Sequence, residues 1–213
     1  MTDFSKVSSA LEKKGFKVSV FSSGSDAVSY LSETIREKTV GFGGTKTAEA
    51  LGLYEALDKF NYMVWHWKAA DYENLRPEDT AGKKKIHEAR NAAMHTDVYI
   101  CSANALSEDG VIVNIDGAGN RLSSTLWGHK KVIFIIGRNK IVPTYEDAVW
   151  RARNVAAPLR ARSLHKNTPC AKGELKCCDC SSPERICRGM ATIWYPMQKQ
   201  EFEIVLIDED LGM

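Results

Sequence analysis

Val132-Ile133-Phe134-Ile135-Ile136 is apolar at every position. A strand wet on one face alternates apolar with polar residues, whereas one covered on both faces does not, so this run predicts a strand of a parallel sheet lying between helices. Working outward, shorter apolar runs predict further strands at Lys17 to Phe21, Thr39 to Phe42, Tyr62 to Trp65, Asp97 to Cys101 and Val111 to Ile115. Amphipathic stretches between them predict helices at Asp3 to Lys14, Ser25 to Arg36, Thr47 to Lys59, Lys83 to His95, Asn120 to Trp127 and Tyr145 to Val155. The alternation gives an α/β fold: an open, mostly parallel sheet sandwiched by helices.

Thr144 and Asp147 have the spacing of a capping box for the last helix, after the strand-breaking Pro143, and Pro158 is expected to end it. The polar stretch from His66 to Lys85, with Arg76-Pro77 and Ala81-Gly82, predicts a surface connection. Beyond Arg162 periodicity fades. It returns at Thr192 to Tyr195 and Phe202 to Ile207, which Pro196 to Gln200 would join as a terminal β-hairpin on the sheet edge.

The chain has 213 residues, 44% hydrophobic and 26% charged, with net charge +2. That length can bury a core without disulfides or metal, so residues 1–213 are expected to form a single domain. The composition argues against disorder, and the charge balance against non-specific nucleic-acid binding. No apolar run approaches the ~20 residues of a membrane span, and Met1-Thr2-Asp3-Phe4 has neither a basic nor an apolar leader region. A soluble, cytoplasmic protein is the expectation, with an oligomer left open.

Gly41-Phe42-Gly43-Gly44-Thr45-Lys46-Thr47 links a predicted strand to a predicted helix. Glycines let main-chain amides approach a ligand, and the helix start favours an anion such as phosphate or carboxylate. Lys46 would oppose the helix dipole there, a cost a bound anion offsets; the alternative is a tight turn with Lys46 paired to Glu49. The spacing matches neither a Walker loop nor a dinucleotide fingerprint.

Asn104 to Arg121 is the densest polar and glycine-rich region. Asp109-Gly110 by itself suits a hairpin corner. Asp116, Asn120 and Arg121 surround further glycines at a strand end, where α/β sheets place ligands. Arg121 can hold a planar anion bidentately, and Asp109, Asp116 and Lys46 are the candidate catalytic groups. The alternative is a turn in which Asn120 caps the next helix.

The chain has six cysteines. Cys101 lies in an apolar run and reads as a core thiol. The others fall in Cys170-Ala-Lys-Gly-Glu-Leu-Lys-Cys177-Cys178-Asp-Cys180-Ser-Ser-Pro-Glu-Arg-Ile-Cys187, a Cys-x-x-Cys with an outer cysteine on each side. In a reducing compartment such a cluster reads as a metal site, and residues 168–190 as an insertion in the domain. Four thiolates suit either zinc or an iron–sulfur cluster. The long arms favour a [4Fe–4S] cluster, with zinc as the alternative. Lys172, Lys176, Arg185 and Arg188 would screen either. The scattered histidines show no metal-binding spacing; His66 reads as a packed aromatic neighbour of Trp65 and Trp67, or as a pocket rim. Arg151, Arg153, Arg160 and Arg162 read as a solvated helix face.

Together, Gly41 to Thr47, Asn104 to Arg121, Asn139-Lys140-Ile141-Val142-Pro143 and Arg153-Asn154-Val155-Ala156-Ala157-Pro158 resemble the lactate-utilisation (LUD) domain family, in its small branch with a cysteine motif near the end. That resemblance implies a fold like the sugar-phosphate isomerase and CoA-transferase group. By likeness to the methylthioribose-phosphate isomerase stretch it implies Gly43, Gly44, Thr45, Asp109, Asn114, Asp116 and Asn120 facing a pocket, which adds to Lys46, Thr47 and Arg121. The family's cysteine pattern picks out Cys170, Cys177, Cys180 and Cys187 as metal ligands; Cys178, and one extra residue before Cys177, depart from it. The implied function is a part in oxidising lactate, a related 2-hydroxy acid or another small anionic metabolite. One cluster moves one electron at a time, so an electron-transfer partner protein is a corollary. The rival readings are a non-redox metabolite-binding or regulatory protein with structural zinc, and an isomerase or transferase acting on a sugar phosphate.

Overall fold

The computed structural model describes residues 2–70, 72, 75 and 78–213, so the Arg76-Pro77 part of the expected connection lies outside the described residues. In chain order the elements are α1 (Ser5–Lys13), β1 (Lys17–Phe21), α2 (Gly24–Thr34), β2 (Thr39–Phe42), α3 (Lys46–Ala50), α4 (Leu53–Asp58) and β3 (Tyr62–Trp65). There follow α5 (Thr80–Ala93), β4 (Val98–Cys101), β5 (Ala105–Ser107), β6 (Ile112–Asp116), α6 (Asn120–Leu126), β7 (Lys131–Gly137) and β8 (Ile141–Val142). The chain ends with α7 (Tyr145–Arg151), α8 (Ala157–Ser163), α9 (Pro169–Lys172), β9 (Gly189–Ile193) and β10 (Glu201–Ile207).

The main sheet has six strands in the order β1-β10-β7-β4-β2-β3, every pair parallel. The run that opened the reading is its centre. Val132, Phe134 and Ile136 point into one core with Val7 and Leu11 of α1, while Ile133 and Ile135 point into the other with Leu31 of α2 and Leu57 of α4. Two buried faces on one strand require apolar residues at consecutive positions, hence the absence of alternation.

A second sheet, β8-β5-β6-β9, was not anticipated. Leu106, Ile112 and Ile193 bury one face of it in the first core, and Ala105 and Val113 bury the other against Ala148 and Ala152 of the following helix. This corrects the terminal hairpin. Two strands form, the first shifted to Gly189–Ile193, but they do not pair with each other: β9 runs antiparallel to β6, and β10 lies between β1 and β7 in the main sheet. The reason is burial. Phe202, Ile204, Val205, Leu206 and Ile207 are each at most 1% exposed on two faces, which a sheet edge cannot provide. Glu203 interrupts that run and is itself fully buried, its carboxylate 2.6 Å from Lys131 and accepting from Tyr30 at 2.7 Å and Ser19 at 2.8 Å.

The capping box at Thr144 forms as expected, Thr144 Oγ1 accepting from Asp147 N at 3.1 Å and Asp147 Oδ2 from Thr144 N at 3.2 Å. Pro158 does not end that helix. A π-helical turn at Ala152–Ala156 inserts a residue before the proline, whose missing N–H falls at the start of α8, and the helix carries on.

Candidate functional site

The carboxyl ends of β2, β3, β4, β7 and β10 open into one cavity of about 340 Å³. That is where open α/β sheets place ligands, because strand ends and helix starts leave main-chain groups unpaired there. Its charge is strongly one-sided: Lys46, Arg90, Arg121, Lys140, Arg160, Arg185 and Arg188 line it, against Asp116 as the only acidic side chain among the described residues.

The glycine turn contributes Gly44, Thr45 and Lys46 to the wall. Thr45 Oγ1 caps α3 by accepting from Ala48 N at 3.3 Å. Lys46 both faces the cavity and pairs with Glu49 at 2.7 Å, so the two readings of that residue coexist. Gly43 lies behind the wall: a Cβ there would stand 2.9 Å from the Tyr99 hydroxyl and 3.2 Å from Arg121, so glycine lets the Arg121 stem cross the strand end. Thr47 is buried and accepts a hydrogen bond from Lys140 Nζ at 2.8 Å.

In the Asp-Gly region the structure separates what the sequence grouped. Asp116, Asn120 and Arg121 line the cavity. Asp116 turns back on its own chain, Oδ1 accepting from Gly117 N at 2.7 Å and Ala118 N at 3.3 Å, Oδ2 from Arg121 N at 3.0 Å. It is therefore Asp116, not Asn120, that caps the start of α6. Arg121 is aimed by carbonyls, donating to Ser102 O at 3.3 Å and Ile115 O at 2.5 Å. Asn114 is 1% exposed and stands outside the lining; its Oδ1 accepts from Asn104 N at 2.9 Å, which holds Asn104 in the wall. Asp109 is not brought to the cavity. It sits at the β5–β6 corner, accepting from the Ser107 hydroxyl, beside Gly110 with φ of 77°.

Several lining residues lay outside the set expected to bind a ligand. Lys140 ends the turn after β7, buried at 3% exposure, with Nζ donating to Ser102 Oγ at 2.9 Å as well as to Thr47. Its position just past an apolar strand was the available signal. His66 is 3% exposed and packs edge-on to Trp67 and Tyr72, yet also faces the cavity, its Nδ1 without a hydrogen-bond partner among the described residues. Burial, then Arg90 and Arg160, push its pKa down to about 3, so the ring is neutral. Arg160 is no solvated residue: it stands 5.2 Å from the Trp67 ring centroid, with Lys46 at 5.1 Å. Arg151 is buried as well, its guanidinium donating to Asn139 O at 2.9 Å and to Asn104 O.

Beside this cavity Cys170, Cys177, Cys178, Cys180 and Cys187 line a second, of about 20 Å³, roughly the room for one water-sized body. Cys101 stands apart in the core, its thiol pKa pushed up to about 12 by burial. Arg185 ties the loop together, donating to Cys180 O at 2.8 Å, Cys187 O at 2.9 Å and Asp179 at 3.0 Å. Arg153 Nη2 lies 3.7 Å from Cys177 Sγ. The donors are right in kind and number for a four-thiolate centre with cations around it. Among the described residues, however, no three of them converge in a way that would hold a metal ion. The loop also closes the first cavity: Arg185 and Ile186 line both, Arg188 N donates to Asp116 O at 3.0 Å, and a Cβ on Gly117 would lie 2.5 Å from Ile186 O.

Fold and site together define an α/β protein with a cation-lined pocket at the mouth of a parallel sheet, sealed on one side by a thiol-bearing loop. The chain belongs to the LUD-domain family, whose profile matches residues 4–207. No curated protein matches it significantly. Among solved structures it is similar to a DUF162 family protein from Deinococcus radiodurans, with 12% identity, a TM-score of 0.48 and coverage of 97% of this chain and 99% of that one. Among the described residues no helix is long and apolar enough to cross a membrane.

Proposed function

We propose that this LUD-domain protein binds a small anionic metabolite in the cation-lined pocket and takes part in oxidising lactate or a related 2-hydroxy acid, with a [4Fe–4S] cluster on the thiol loop. The observation that carries this reading is the wall common to the two cavities. Arg185 and Ile186 face both, so a group held by the thiols stands next to whatever the guanidinium groups hold. Arg121, held by the Ser102 and Ile115 carbonyls and by Asn104 Oδ1 at 3.4 Å, places its charge in the wall facing a carboxylate or phosphate, and Arg160 and Lys46 add charge across Trp67. A cluster held by Cys170, Cys177, Cys180 and Cys187 would supply one-electron transfer and would call for an electron-transfer partner protein; the chain's own part is to bind and orient the anion.

The test is preparation without oxygen, with the visible spectrum and assays of iron, acid-labile sulfide and zinc, then thermal-shift screening against lactate, glycolate and glucose 6-phosphate. Brown protein with equal iron and sulfide, stabilised by one of these anions, is expected. Cys180→Ser should lose the metal and Cys178→Ser keep it. A colourless protein holding zinc and no iron refutes the redox part and leaves a metabolite-binding protein with a structural metal. No stabilisation by any anion refutes the pocket.

A further inference from the structure

Among the described residues Lys140 is a buried cation without a counter-ion. The charges acting on it are Arg151, Arg121 and the Cys101 thiol, none of them a carboxylate. Its polar partners are hydroxyls, Thr47 Oγ1 at 2.8 Å and Ser102 Oγ at 2.9 Å, and from the last segment a Cβ on Gly212 would lie 2.9 Å from Nζ. A buried ammonium with two cationic neighbours is costly, and as a stabilising device an apolar side chain would serve better. What the position provides is chemistry. Burial, with Arg151 and Arg121, pulls the pKa of Lys140 down to about 7, so near neutrality the amine keeps its lone pair on much of the protein.

We infer that Lys140 is a nucleophilic amine that forms an imine with the carbonyl of a small anion seated in this cavity, a 2-oxo acid or a sugar-type phosphate. The inference rests on the anion-binding reading above and adds the substrate class. The amine lone pair adds to the carbonyl carbon, a C–N bond forms, and the C=O π electrons pass to oxygen. Both amine protons leave with that oxygen as water, the Thr47 and Ser102 hydroxyls lying within hydrogen-bond reach to relay them, and a C=N bond remains. No net oxidation occurs. Arg121 sits in the same wall and can hold the carboxylate or phosphate while the carbonyl meets Nζ.

The experiment is reductive trapping on the full-length protein with cyanoborohydride, using pyruvate in one arm and dihydroxyacetone phosphate in the other, read by intact mass and peptide mapping. One reduced probe per chain on Lys140 is expected, absent without cyanoborohydride and absent in Lys140→Arg. With a pKa of about 7 against the usual 10.5, Lys140 at pH 7 has roughly a thousandfold larger free-amine fraction than an exposed lysine, so label should be concentrated there. Thermal shift with the same probes separates the two claims. Probes that bind without labelling Lys140 overturn the nucleophile and leave anion binding intact. Label spread over surface lysines, or failure of both probes to bind or react, overturns the inference outright. The mapping on the parent decides the matter even if Lys140→Arg does not fold.

Discussion

Gly117→Ala tests whether the thiol loop completes the anion pocket. The new Cβ would lie 2.5 Å from the Ile186 carbonyl oxygen and 3.3 Å from its carbon. Gly117 is not among the residues with positive φ, so alanine suits its backbone and the strain falls on this contact alone. Relief requires the Ile186 main chain to retreat by about 0.8 Å, to the ~3.3 Å at which carbon and carbonyl oxygen ordinarily meet. Forcing one extra carbon into a packed contact costs ~1–3 kcal/mol. The retreat also pulls on Arg188 N, two residues on and bonded to Asp116 O at 3.0 Å, and on Arg185, the residue before Ile186. A ligand that needs both arginines in place must overcome that strain, so its affinity falls by about 5–150-fold, the ratio equivalent to 1–3 kcal/mol. Thermal stability should fall much less, since the loop can swing outward without disturbing either core. Titration calorimetry with the tightest-binding of the screened anions measures the effect. Gly189→Ala is the control, because its Cβ would meet only Leu122 at an ordinary 3.5 Å. A folded Gly117→Ala protein that binds the anion as tightly as its parent refutes the loop's part in the pocket.

Asp116→Ala removes the acceptor of three main-chain N–H groups and should cost ~0.5–2 kcal/mol of stability in urea titrations, with Asp116→Asn retaining part of it; unchanged midpoints would show the carboxylate is not the cap. Glu203→Ala removes the buried partner of Lys131, which keeps Glu201 at 2.9 Å; breaking a buried pair costs ~3–5 kcal/mol, and with that second carboxylate and 20% exposure of Lys131 a loss at or below the lower figure is expected. Burial alone would raise the Glu203 pKa, but Lys131, Tyr30 and Ser19 outweigh it and hold it below the usual 4.5. Its contribution is thus present above that value and lost as pH falls through the folded-state pKa, and Glu203→Gln should flatten the acid limb. His66 is held neutral down to about pH 3 against the usual 6.5, so the unfolded chain binds the extra proton between those values and stability falls as pH falls through that window. The slope approaches ~1.4 kcal/mol per pH unit. His66→Phe should be less steep than the parent between pH 6.5 and 5, and equal slopes would mean that the ring is already protonated in the folded protein.

The parallel sheet was legible because its central strand is apolar on both faces. The same argument applied to Phe202 to Ile207 would have placed β10 at the centre too, but Glu203 interrupts the run and Thr192 to Tyr195 lies close by in sequence, which favours a hairpin. What neutralises Glu203 is distant: Lys131, Tyr30 and Ser19 arrive from β7, α2 and β1. Composition of a strand records burial, whereas the partner that permits one charge inside it does not show locally. The pocket divides the same way. Gly44, Thr45, Lys46, Asp116, Asn120 and Arg121 were legible as glycine and polar clusters at strand ends, and all line the cavity. Asp109 belonged to an equally dense cluster at the opposite end of β6, and local density does not say which end of a strand faces the ligand. Arg160 and Arg188 have no local signature either, since a guanidinium on a helix face or loop reads as solvated until the fold puts a wall in front of it.

Pro158 shows why the helix beneath both cavities matters. A proline in a regular helix interior clashes with the preceding turn and breaks it at a cost of ~3 kcal/mol. Here the π-helical turn at Ala152–Ala156 absorbs the extra residue, and the chain continues into α8 with its direction kept. One element thereby serves both sides: Ala156 and Arg160 face the anion pocket, Arg153, Pro158 and Ala161 face the thiols, and Ala157 lines both cavities. Asn154, within the bulge, accepts from Cys177 N at 3.3 Å and so moors the loop to the same turn. A helix without the bulge would turn the residues beyond it by about 100° per residue of offset and take Arg160 out of the pocket. The thiol loop, the proline and the pocket arginine are therefore one mechanical unit, joined through Ala157, Arg185 and Ile186, which line both cavities.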